Sequence, residues 1–125
     1  MTRDTEEGVR LTMPLPPNIL NQRKHWRAKI RQKKAYWKRL TVLRATEGWP
    51  KGESPDKATI SVTAYVWNLM DADNLMARLK WTLDWLIAWD YLPDDSPRVL
   101  EWDGMPTQEI DRRNQRLEIE IRDAA

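Results

Sequence analysis

Apolar and polar positions switch several times along the chain between a period of two and a helical period. Residues 9–13 alternate apolar and polar, which predicts a short strand. Pro14, Pro16, Pro17 and Asn18 end it, because proline cannot donate to a ladder. Over residues 23–46, Trp26, Ile30, Trp37 and Leu40 recur at helical spacing, so a helix is predicted with these four as its buried stripe. Gly48, Pro50 and Gly52 mark its end and a loop. Residues 57–67 carry the clearest strand pattern: Ile60, Val62, Ala64 and Val66 alternate with Ser61, Thr63 and Tyr65. A second helix is predicted over 73–89, with Leu75, Leu79, Leu83 and Leu86 as its core stripe and Pro93 as its stop. Residues 98–103 read as a third strand and 104–114 as a loop carrying Gly104 and Pro106. Residues 115–121 read as a fourth strand with Leu117, Ile119 and Ile121 inward.

The resulting order, β-α-β-α-β-β, implies an α/β fold. The expected architecture is a single-domain, two-layer sandwich: a four-stranded mixed sheet with helices packed on it. The first two crossovers are expected to be right-handed and the last two strands to form an antiparallel hairpin. Residues 1–8 read as a flexible tail and 9–122 as the domain, which suits a chain of 125 residues.

Composition narrows the chemistry. The chain has no cysteine, which removes disulfides, thiolate zinc sites and cysteine nucleophiles. Its single histidine, His25, removes a multi-histidine metal site. No apolar run approaches the roughly 18 residues of a membrane helix, and the polar, acidic start is no secretory signal, so the expected compartment is the cytoplasm.

Net charge is only +2, but it is unevenly spread. Between Gln22 and Ala45 stand Arg23, Lys24, Arg27, Lys29, Arg31, Lys33, Lys34, Lys38, Arg39 and Arg44, with no acid among them. One strongly basic helix on a mildly acidic body is an electrostatic footprint for phosphates, although a solvated helix face would have the same composition. An anionic-membrane helix is a weaker reading, because the apolar face is too narrow. His25, within this basic run, reads as a DNA contact or packing residue rather than a catalytic base.

The acids gather at two places. Asp71-Ala72-Asp73-Asn74 directly precedes the second helix, and Asp94-Asp95 follows it. An N-cap accounts for one acid of the first group and a solvated turn accounts for the second group. Neither accounts for two acids and an amide at a strand end leading into a helix, which is where α/β folds place ligands. At about 100° per residue, Asp73, Ala77, Lys80 and Asp84 share one helix face, roughly opposite the leucines. Ala77 leaves this line uncrowded, so a nucleic-acid backbone could approach it. An intrahelical Lys80–Asp84 pair is the plainer account of those two residues. Carboxylates without histidine or cysteine favour a hard cation, Mg²⁺ or Mn²⁺. With a basic flank, this points to a metal-dependent nuclease or phosphotransfer enzyme. A lysine near the metal would steady developing charge or protonate a leaving group.

In order and spacing, Asp71-Ala72-Asp73-Asn74, Lys80, Asp84-Trp85-Leu86 and Asp94-Asp95 resemble the RusA family of Holliday-junction resolvases, common in prophages. The Pro16-Pro17-Asn18 turn and the basic helix with His25-Trp26 are similar too, so the resemblance spans roughly residues 9–122. It implies a Mg²⁺-dependent homodimeric endonuclease that resolves four-way junctions by paired nicks in DNA recombination and repair, with no organic cofactor. Carried over, Asp71, Asp73 and Asp95 serve the metal and catalysis, and Lys80 is the catalytic lysine. Asn74, Asp84 and Asp94 are supporting residues. The basic residues Arg23 to Lys38, with His25, contact DNA. One departure stands out: in the best-known member the lysine follows the second Asp by four residues, whereas Lys80 follows Asp73 by seven. Both spacings keep the lysine on the Asp73 face, one turn apart. Two other readings remain: a metal-dependent nuclease of flaps or forks, and a non-catalytic DNA-binding protein. Trp81 and Trp85, off the leucine stripe, are candidates for a dimer interface as well as for the core.

Overall fold

The computed structural model describes residues 3–5, 8–17 and 26–124. The elements run β1 (Arg3–Thr5), β2 (Gly8–Met13), α1 (Trp26–Glu47), β3 (Ala58–Val66), α2 (Ala72–Arg78), α3 (Lys80–Ala88), β4 (Leu100–Trp102), β5 (Thr107–Ile110) and β6 (Arg116–Asp123). The fold is α/β: a mixed sheet with helices packed on one face.

The sheet order is β1-β2-β6-β3-β4, with β5 also on β3. β2 and β3 are each antiparallel to β6, so they run parallel to one another with the last strand inserted between them. β4 and β5 are both parallel to β3 and share one of its edges, β4 beside residues 58–60 and β5 beside 63–66. The sheet thus has six strands in five positions, where sequence periodicity predicts four strands. β5 escapes that pattern because Thr107-Gln108-Glu109-Ile110 is nearly all polar. Residues 3–5, read from sequence as part of a loose tail, instead pair antiparallel with β2. Gly8 makes this possible: its φ is +137°, and a Cβ there would run into the Ile121 carbonyl. The expected hairpin of the last two predicted strands does not form. β4 pairs with β3, and β6 pairs with β2 and β3.

Strict alternation decides which face is covered. Ala58, Ile60, Val62, Ala64 and Val66 of β3 are buried together with Leu117, Ile119 and Ile121 of β6 and Leu11 and Met13 of β2. The opposite face, with Arg10, Thr12, Ser61, Thr63, Glu118 and Glu120, is partly open to solvent. The predicted second helix is present but divided at Leu79. The α-helical ladder still crosses the division, with Leu79 N–H donating to Leu75 O and Leu83 N–H to Leu79 O, both at 3.0 Å. Leu75, Leu79 and Leu86 are buried as expected, and Leu83 is half-buried.

The helix layer is locked by aromatic residues. Trp85 is fully buried, edge-on to Trp49 and stacked with Trp89 and Tyr91. Its Nε1 donates to Thr41 Oγ1 at 3.2 Å. Trp85 is therefore core and not interface. Trp81 is half-buried, and its carbonyl accepts Trp37 Nε1 at 3.0 Å. On α1 the buried residues are Tyr36 and Leu40 rather than the whole predicted stripe. Trp26 and Ile30 are exposed, and the buried residues of α1 begin only at Tyr36. Among the described residues, no helix is long and apolar enough to cross a membrane.

Candidate functional site

The segment between β3 and α2 is braced from the sheet edge. Gln108 of β5 holds the Met70 backbone at both ends: Met70 N–H donates to Gln108 Oε1 at 2.9 Å, and Gln108 Nε2 donates to Met70 O at 2.7 Å. Arg112 Nε donates to Trp67 O at 3.1 Å and Nη2 to Asn68 Oδ1 at 3.2 Å. These braces fix the chain just before Asp71. Sequence reasoning missed both residues, because a side-chain amide and a guanidinium in a polar loop carry no periodic signal.

Asp71 takes the N-cap position of α2, with φ −61° and ψ 148°, and its carbonyl accepts Leu75 N–H at 3.0 Å. Its carboxylate makes no capping hydrogen bond. Asp71 and Asp73 are both exposed, and Asn74 is half-buried. The cap position therefore explains the backbone of Asp71 but leaves its carboxylate without that structural use.

Further along the same face, Lys80 Nζ lies 3.7 Å from Asp84 Oδ1. Asp84 is also reached from the basic helix, with Lys33 Nζ 3.8 Å from Asp84 Oδ2. Asp84 thus joins the basic face of α1 to the line that starts at Asp73. The Lys33 ammonium also stands 4.9 Å from the centre of the Trp37 ring, which orients it.

The basic residues divide by use. Arg27, Arg31, Lys34 and Lys38 are exposed, and Lys29 and Lys33 are half-buried. Arg44 is structural: its Nε donates to the Tyr91 hydroxyl at 2.9 Å, and its guanidinium lies 4.8 Å from the Trp89 ring centre. Arg23, Lys24 and His25 lie outside the described residues. On the open sheet face the arginines are matched by acids: Arg10 with Glu120, Arg122 with Glu120, and Arg116 with Asp111 and Glu118. Arg116 also holds the Asp111 carboxyl below its ordinary value by hydrogen bonding. Among the described residues, basic side chains are therefore densest on α1, whereas on the sheet acids stand beside the arginines. Arg78, off the Asp73 line, is half-buried, and its Nε donates to Pro16 O at 2.7 Å, tying the proline segment to α2.

Asp94 and Asp95 are exposed, and Asp95 N–H donates to Asp94 Oδ1 at 2.8 Å. They lie at the other end of the layer. β4 starts beside Ala58, where β3 begins, and Leu100 N–H bonds Ser96 O just after the acidic pair. Asp71 follows the end at which β3 finishes. The α2–α3 element between the two acidic groups spans residues 72–88, about 24 Å at 1.5 Å per residue. Within one chain, then, Asp71 and Asp73 lie at the start of α2, and Asp95 does not join them. Among the described residues, no three His, Asp or Glu side chains are grouped so that they could hold a metal ion.

No protein-family model matches the chain, and no curated protein matches it.

Proposed function

We propose that this chain is a Mg²⁺-dependent, structure-selective endodeoxyribonuclease of the RusA type, resolving four-way DNA junctions as a homodimer. The observation that carries this reading is the Asp71 carboxylate, which sits at a helix start without capping it, next to Asp73 on an exposed turn. Coupling of this helix to the basic face of α1 through Asp84 supports it.

Asp71 and Asp73 offer hard oxygen donors suited to Mg²⁺ or Mn²⁺, but among the described residues no third acid groups with them. Under this reading the set is completed by Asp95 of a second copy, so the homodimer is a requirement of the site. A divalent cation held there would supply the Lewis acidity and the activated water that phosphodiester hydrolysis needs. Lys80, exposed on the Asp73 face, would steady negative charge on the phosphate. Arg27, Arg31, Lys34 and Lys38 would hold the backbone without reading sequence. Asn74, beside Asp73, and Asp84, between Lys33 and Lys80, would orient their neighbours. The process served would be DNA recombination and repair in the cytoplasm.

One observation favours the non-catalytic DNA-binding alternative: the lack of a three-acid group within the described chain. Cleavage separates the two. A synthetic four-way junction and a matched linear duplex are incubated with the protein in Mg²⁺ and in chelator. Paired, Mg²⁺-dependent nicks on the junction are expected for the wild type, and Asp73→Asn should bind without cleaving. Junction binding with no cleavage by the wild type in Mg²⁺ or Mn²⁺ would leave a binding protein.

A further inference from the structure

Large apolar side chains stand exposed in the segment that leads from β3 to Asp71 and on the neighbouring strand β5. Trp67 is 53% exposed and Leu69 62% exposed, and Ile110, paired in register with Val66, is 52% exposed. They are held on a rigid frame, because Gln108 clamps the Met70 backbone and Arg112 clamps the Trp67 carbonyl and the Asn68 side chain. The Arg112 guanidinium carbon stands 5.2 Å from the centre of the Trp67 ring. One part of the indole is thus stacked on a cation, and more than half of the residue faces solvent, four positions before Asp71.

This arrangement suits one kind of ligand. A fixed, flat aromatic surface with a cation beside it stacks on a nucleobase without reading which base it is. In linear duplex every base is already stacked on its neighbours, and freeing one costs a few kcal/mol. At a branch point the base pairs flanking the crossover lack a continuous stack on one side, so that cost is lower than within a linear duplex. Arg112 and Arg113 add positive charge on the same loop.

We propose that Trp67, backed by Arg112, is a stacking platform for an unpaired base at the branch point of DNA. It would be the element by which this protein prefers branched over linear DNA. The inference rests on the nuclease reading above.

The test uses the full chain in chelator, so that binding is read without cleavage. A four-way junction carrying 2-aminopurine at the crossover and a matched linear duplex are each titrated with wild type, Trp67→Ala and Trp67→Phe. Junction affinity should fall on the order of tenfold in Trp67→Ala and recover largely in Trp67→Phe, with duplex affinity unchanged. The 2-aminopurine signal should change on binding of the wild type and not of Trp67→Ala. Unfolding midpoints should agree for all three proteins, since the side chain is exposed. Equal junction affinity of Trp67→Ala and wild type, or an equal loss on junction and duplex, would overturn the inference while leaving the nuclease reading standing. So would conversion of a wild-type dimer to a monomer by Trp67→Ala in sedimentation, because a second copy would then be what covers this surface. A wild type that binds no branched DNA would overturn both readings together.

Discussion

Tyr36 joins three parts of the chain through one hydroxyl. It donates to Pro14 O at 2.9 Å and lies 2.9 Å from Thr82 Oγ1. Since the phenol has one proton and gives it to Pro14, Thr82 must donate to Tyr36. Thr82 is fully buried, so no water can replace the phenol. Tyr36→Phe keeps the ring but orphans both partners, which should cost about 1–3 kcal/mol in urea unfolding at pH 7. Burial also pushes the Tyr36 hydroxyl well above its ordinary value near 10. A pKa raised by folding gives stability that is complete below the unfolded value and is lost as pH climbs through the folded one. The gap between wild type and Tyr36→Phe should therefore narrow as pH rises above about 10. A gap that stays constant to higher pH would mean that the phenol is not protected as its burial implies.

At the scale of elements, the aromatic cluster ties the ends of α1 and α3 to the loop between α1 and β3. Ser54 N–H donates to Asp90 O at 2.6 Å, and the Tyr91 hydroxyl donates to Pro50 O. Gly52 sits inside this junction, and a Cβ there would overlap the Trp89 carbonyl and the Asp90 backbone. Those atoms are main chain and cannot swing aside. Gly52→Ala should destabilise by about 1–3 kcal/mol, the range of overpacked sites, as read by thermal or denaturant unfolding. An unchanged midpoint would show that the loop can lift away from α3 at no cost. The sequence marks Gly52 only as a loop glycine. That the loop must lie against the end of α3 follows from packing, which no local pattern encodes.

For the whole molecule, the chief consequence is the placement of the two acidic groups at opposite ends of the helix layer. If function needs Asp71, Asp73 and Asp95 together, a two-fold dimer must bring one copy's Asp95 to the other copy's Asp73, and the reverse. Subunit mixing tests this. Asp73→Asn and Asp95→Asn should each be inactive alone. In a mixed dimer one site carries both defects and the other carries neither. An equimolar, freely exchanging mixture should regain nicking at about a quarter of the wild-type sites. If the acids acted within one chain, every site would carry one defect and the mixture would stay silent.

Local periodicity by itself determined the inward faces of β2, β3 and β6, most of the leucine stripe of the second helix, and the α/β class with a mixed sheet. These follow from which side chains repeat every two or roughly every 3.6 residues, and that information is carried within a few residues. The residue types also named the candidate chemistry: acids ahead of a helix, a lysine on that helix, and a separate basic run. Tertiary structure alone decided what those faces meet. It placed β4 on β3 rather than on β6, put the polar β5 on the same edge, buried Trp85, and left Trp26 and Ile30 in solvent. It also set Asp95 at the far end from Asp71. A periodic pattern states that a face is apolar but not which partner covers it, and the separation of two motifs in space depends on the path of the chain between them.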